Sequence, residues 1–301
     1  MNANEVAEDI RSHLEGDSIA VVGGATWEEE DLMEPLRDSD SEALQSENID
    51  IDDTVEAVYG VSGEELVEAV GDRNVYVTGG TVANPFARLI NADIGPEEVN
   101  SIDFGTLVSN RRFPFTFDDE GIPGREILSE NFPADSETAQ WYEMTVEDFR
   151  ENARPNYVVD RSHGDDGAEV LNEFESIWVP GDGGITELEG VQKEEYLSKR
   201  FVPVANGNDW QTDYAILGVH GNPHSDGDIV AAQGAHHLGT TGANEVITYP
   251  EGDIEDTDEV LESLGLFQEE TGADEYQALI QTYRNPGKDE TRNNLVAVGE
   301  L

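Results

Sequence analysis

Cysteine is absent from the 301-residue chain, and lysine occurs only at Lys193, Lys199 and Lys288. Without a thiol there is no disulfide framework, no cysteine-ligated zinc or iron-sulfur centre and no cysteine nucleophile. Long hydrophobic runs are missing too: the apolar stretches are a few residues long, and residues 1–10 are polar and acidic. The expectation is a chain with neither signal peptide nor membrane span, located in the cytoplasm. Positive charge is the third scarcity, with 16 basic against 67 acidic side chains and a net charge of -51. Such a polyanion is repelled by phosphate backbones and anionic lipid headgroups, so nucleic-acid and membrane-surface partners are excluded.

What is present argues for a folded core. Apolar residues make up 37% of the chain, low enough for disorder, but they are gathered into glycine-bounded runs of strand length. Examples are Ser18 to Val22, Val75 to Thr78 and Ile229 to Gln233. Thirteen arginines, three lysines and acids spread over almost every segment resemble the acidic proteins of salt-in halophiles, especially haloarchaea. At molar salt the Debye length falls to roughly 3 Å, which screens the self-repulsion. Most carboxylates are therefore read as solvation rather than chemistry.

Helical spacing of Val6, Ala7, Ile10 and Leu14 predicts a helix before the strand Ser18 to Val22, and residues 27–53 read as an irregular acidic excursion. Ser62 and Glu65 have capping-box spacing ahead of a short helix that feeds the strand Val75 to Thr78. Gly79 and Gly80 follow, and Asn84-Pro85 opens another helix. Pro114 points to an edge strand, residues 146–152 and 169–174 to short helices, and Ser176 to Val179 to a strand. The runs Tyr214 to Val219 and Ile229 to Gln233 are separated by nine residues, too few for a parallel crossover, so they pair antiparallel if they pair. Residues 234–241 lead into a helix toward Tyr249, Thr257 caps one ending near Gly265, and the chain closes on a hairpin around Asn285-Pro286-Gly287-Lys288. The predicted fold is α/β: a mixed, mainly parallel sheet flanked by helices, with an antiparallel C-terminal hairpin. Residues 1–60 are expected to form a helix, strand and acidic excursion packed on a main domain of residues 61–301.

The strongest local pattern is Gly234-Ala235-His236-His237-Leu238-Gly239-Thr240-Thr241-Gly242-Ala243 between a strand and a helix. Its spacing approaches a phosphate-binding loop, with Gly234, Gly239 and a hydroxyl at Thr241, but Thr240 stands at the lysine position, which argues against triphosphate hydrolysis. The bland alternative is a tight turn with Thr240 or Thr241 as a cap. Gly79, Gly80 and Asn84 form a second junction, and both junctions are expected at one carboxyl edge of the sheet, where helix amides converge. The predicted ligand-binding set is Gly79, Gly80, Asn84, Gly234, His236, Gly239, Thr240 and Thr241, with His236 or His237 adding charge and Arg88 nearby. His220, His224, His236 and His237, with Asp226 or Asp228, also raise a divalent metal, though they match no metal motif. No Gly-x-Ser-x-Gly elbow occurs, Ser162-His163 has nothing to orient it, and Arg111-Arg112 is the chain's one arginine doublet.

In order, Val77-Thr78-Gly79-Gly80-Thr81-Val82-Ala83-Asn84-Pro85, Asp213-Tyr214-Ala215-Ile216, Asn222-Pro223 and the 234–243 segment resemble a poorly characterised prokaryotic α/β module. That module carries Gly-Gly-Pro-x-x-Asn, Asp-Tyr-Gly, Asn-Pro and Gly-x-x-x-x-Gly-Thr; here Thr81 replaces the proline and Ala215 the glycine. The resemblance implies a small-molecule or nucleotide sensor without established catalysis, with Gly79, Gly80, Asn84, Gly234, Gly239 and Thr240 at the site. The expectation is thus a binding or sensing module for a small, nucleotide-like anion, needing no cofactor or metal. A metal-assisted hydrolase using the histidines and a structural or assembly subunit are the alternatives.

Overall fold

The computed structural model describes residues 1–22, 48–50, 63–80, 84–99, 113, 115–118, 157–160, 176–181, 184–197, 200–201, 204–206, 209–249, 254–284 and 291–301. In chain order the elements are α1 (Ala3–Ser12), β1 (Ser18–Val22), β2 (Asn48–Asp50), α2 (Gly63–Val70), β3 (Asn74–Thr78), α3 (Pro85–Asn91), β4 (Phe115–Asp118) and β5 (Tyr157–Asp160). They continue with β6 (Ile177–Gly181), β7 (Gly184–Glu187), α4 (Gly190–Leu197), β8 (Arg200–Phe201), β9 (Val204–Asn206), β10 (Asp209–Gly221) and β11 (Asp228–Gly234). The last are α5 (His237–Thr248), α6 (Thr257–Thr271), β12 (Tyr276–Arg284) and β13 (Thr291–Glu300).

Among the described residues, one ten-stranded sheet runs β2-β1-β3-β11-β10-β12-β13-β6-β7, with β9 paired to β10, and β4-β5-β8 form a separate small sheet. Three pairs, β1·β2, β1·β3 and β3·β11, are parallel. The pairs β10·β11, β10·β12, β9·β10, β12·β13, β13·β6 and β6·β7 are antiparallel. The mixed α/β class holds, but the sheet is mostly antiparallel rather than mainly parallel. The reason lies in burial. On one face α1, α5 and α6 cover Ala20, Tyr76, Leu217, Val230 and Ile280. On the other, α2 and α3 cover Ile19, Val21, Val77 and Ala231, while β4 meets Ile216 and Leu279. Central antiparallel strands buried on both faces lose their alternation and read as continuous apolar runs, the pattern of parallel strands.

Several elements follow directly from local sequence. Asn2 and Glu5 close a capping box on α1, and Asn84 caps α3 ahead of Pro85. The β10–β11 and β12–β13 pairs are antiparallel as their spacing requires, and β4 is an edge strand. Two expectations fail. Within the stretch read as irregular, Asn48–Asp50 pairs with β1; three residues are too short to display a period. The helix expected to stop near Gly265 continues to Thr271 and ends on Gly272 at φ 72°. Gly265 is instead a packing notch, since a Cβ there would lie 2.9 Å from Val6 Cγ2 of α1. The expected helices at 146–152 and 169–174, Ser62, the Ser162-His163 and Arg111-Arg112 pairs and the 285–288 turn lie outside the described residues. No helix among the described residues is long and apolar enough to cross a membrane.

Candidate functional site

Strands β2, β1, β3 and β11 are parallel neighbours, so their carboxyl ends emerge at one edge. The chain leaves β1 toward β2 on one side and returns to β3 on the other, which makes the β1/β3 boundary a reversal of strand order, the place where open α/β sheets hold ligands. Asn84 spans it. Its Nδ2 donates to Val21 O at 3.1 Å and Thr78 O at 2.9 Å, and its Oδ1 accepts from Phe86 N at 2.9 Å and Ala87 N at 3.3 Å. One buried amide thus ties two strand ends to the start of α3.

The two glycine junctions are adjacent. Gly79 N donates to Ala232 O at 3.2 Å, and a Cβ on Gly80 would stand 2.8 Å from Gly234 O. Gly79 has φ 91°, a conformation that side chains disfavour. The helices α3 and α5 therefore begin at the same edge from opposite faces of the sheet. Gly79, Gly80, Ala235 and His236 remain partly exposed there.

The amides at the start of α5 already serve a carboxyl of the chain's own. Helix α5 has no side-chain cap from His236. Instead Asp213 Oδ2, from β10, accepts from Gly239 N at 2.7 Å and His236 N at 3.0 Å, while Oδ1 accepts from Tyr214 N at 2.9 Å. Asp213 is the one acidic residue among the buried polar side chains described. Burial pushes its carboxyl up to about 7, against the opposing pull of the N–H groups of Gly239, Tyr214 and His236.

The other expected binding groups are engaged within the fold. Thr240 Oγ1 donates to His236 O at 3.2 Å and accepts from Gly234 N at 3.1 Å; Thr241 Oγ1 donates to His237 O at 2.9 Å. A Cβ on Gly239 would run into Tyr214 O, and one on Gly242 into Thr282 Oγ1, so both glycines let α5 approach the sheet. Burial, followed by the charge of His237, pushes the His236 imidazole down to about 3, so it adds no charge to the edge. Arg88 is buried and donates to Val99 O at 3.1 Å.

The four histidines do not converge. His220 pairs with Ile229 at the start of β11, whereas His236 follows its end, about 20 Å along the strand. His220 Nδ1 donates to Gly221 O at 2.8 Å, and His224 Nε2 to Leu89 O at 3.2 Å. Among the described residues no three His, Cys, Asp or Glu side chains form a group that could hold a metal ion.

Two features of this edge escaped the sequence reading. The Asp-Tyr-Ala and Gly-rich segments form one latch, since Asp213 takes the α5 amides and Tyr214 O accepts from Ala235 N at 2.8 Å. Their shared presence in the resembling module was the available signal. The second is Gln233, which is 1% exposed and receives Asn91 Nδ2 at 2.7 Å. Comparison with family models, with curated proteins and with solved structures finds no match for this chain.

Proposed function

We infer that the chain is a cytoplasmic, halophilic small-molecule binding or sensing module whose ligand sits at the carboxyl edge of β1, β3 and β11. The observation that carries this reading is the meeting of both glycine junctions at the ends of β3 and β11, one strand from the reversal of strand order where Asn84 ties β1 to β3. Glycines and Ala235 leave the backbone open to close approach at that edge. Asp213 takes the amides of His236 and Gly239 at the start of α5, which argues against an anion held there. Native mass spectrometry of protein purified in molar salt tests the proposal: a retained small molecule is expected, and an empty chain would overturn it.

A structural or assembly role is the second reading, favoured by the internal use of Asn84, Thr240, Thr241 and Asp213. It is distinguished by a chain that arrives empty and binds no small molecule.

A further inference from the structure

Gln233 is enclosed on the β11 face opposite Asp213, where the apolar cluster under α3 meets the one under β4. The orientation of its amide is set by its neighbours. Ala87 O can only accept, so Asn91 turns its Nδ2 toward it at 2.7 Å, and the same nitrogen donates to Gln233 Oε1 at 2.7 Å. Gln233 Nε2 therefore faces away from Asn91, and it has no hydrogen-bond partner. An enclosed amide with unused donors costs about 1–3 kcal/mol and calls for an occupant.

Its surroundings describe that occupant. Gln233 is opposite Ile216, which places Tyr214 as its diagonal neighbour on the same face. The Tyr214 ring lies 5.6 Å from that of Phe201, and its hydroxyl accepts from Gln281 Nε2 at 2.9 Å. Burial holds the phenol above its usual range, so it stays protonated. Asn91, Gln281 and the phenol are uncharged, in a chain of net charge -51. In the parallel pair Gln233 follows Ala232, the partner of Thr78, so it lies beside Gly79 at the partly exposed edge.

We propose that Gln233 and Tyr214 recognise an uncharged planar ring bearing a hydrogen-bond acceptor, of the nucleobase class, entering beside Gly79 and Gly80. This rests on the binding-module reading and names its ligand class. Gln233 Nε2 donates to a ring carbonyl or ring nitrogen, and the Tyr214 ring supplies an aromatic contact surface.

The test titrates adenosine, guanosine, cytidine and uridine, with inorganic phosphate in parallel, into the full chain in molar potassium chloride by calorimetry. One nucleoside is expected to bind saturably and phosphate not at all. Gln233→Leu, checked for its fold by near-ultraviolet circular dichroism, is expected to weaken that binding about tenfold or more. Gln233→Met, which keeps the side-chain length and removes the donor, is expected to do the same. Unchanged nucleoside affinity in both variants would overturn the assignment. So would phosphate binding that competes with the nucleoside, or no nucleoside bound by the parent chain. If the parent chain ignores nucleosides while native mass spectrometry shows another retained molecule, this inference fails and the binding-module reading survives; an empty chain removes both.

Discussion

Replacing Asp213 by asparagine probes the buried latch directly. The carboxyl is raised from 3.8 to about 7 by burial. Between about pH 4 and 7 the folded chain therefore holds a proton at this position that the unfolded chain has released. Where the native state binds more protons, stability falls as pH rises. About three pH units at about 1.4 kcal/mol each put the loss near 4 kcal/mol, complete above pH 7 and absent below pH 4. Asparagine is neutral throughout and keeps an oxygen for Gly239 N and His236 N, but it turns an NH2 toward Tyr214 N, sacrificing one hydrogen bond worth about 1 kcal/mol. Asp213→Asn should thus be about 1 kcal/mol less stable than the parent below pH 4.5, and more stable by a few kcal/mol at pH 8. Denaturant titrations of both chains across this range in molar potassium chloride isolate the effect, because the solvated carboxylates contribute equally to each. A stability difference that does not vary with pH, with the asparagine variant weaker by 3 kcal/mol or more at pH 8, would refute the reasoning. The three amide bonds would then outweigh burial and keep the group ionised.

Lowering salt from molar to about 0.1 M lengthens the Debye length to about 10 Å and unscreens the 51 net negative charges, so the melting temperature should fall steeply; an unchanged value would remove the halophile proposal. Gly239→Ala and Gly242→Ala should each destabilise by about 1–3 kcal/mol in chemical denaturation, because their Cβ atoms meet Tyr214 O and Thr282 Oγ1. Asn84→Ala should cost more, about 2–4 kcal/mol, since it removes the α3 cap and leaves Val21 O and Thr78 O without their donor; a change below 1 kcal/mol would show that the two strand ends do not depend on it. Chelation by EDTA, and His220→Ala or His236→Ala, should leave metal content unchanged, because these residues sit at opposite ends of β11; stoichiometric zinc in elemental analysis would overturn this.

Local physics made much of this fold legible. Asn84-Pro85 supplies a cap and a first-turn proline for the helix that follows, and the nine residues between Tyr214–Val219 and Ile229–Gln233 cannot hold a parallel crossover. The balance of parallel and antiparallel pairs beyond these hairpins was not legible, because β10, β11 and β12 are covered on both faces and their apolar runs carry no alternation to betray antiparallel neighbours. Nor were the roles of the glycines: Gly239, Gly242 and Gly265 look in sequence like loop or stop residues, but each marks a backbone approach that exists only once α5 meets the sheet or α6 meets α1. The adjacency of Gly80 and Gly234 depends on β3 and β11 pairing across 154 positions of chain, which no local pattern records. Most telling is Asp213, one carboxylate among 67, whose Asp-Tyr-Ala setting marks it only through the resemblance and says nothing of its role. Only the packing of α5 against β10 brings it the N–H groups of His236 and Gly239 and removes its water, and that placement turns a helix start that resembled an anion site into one whose acceptor is already built in.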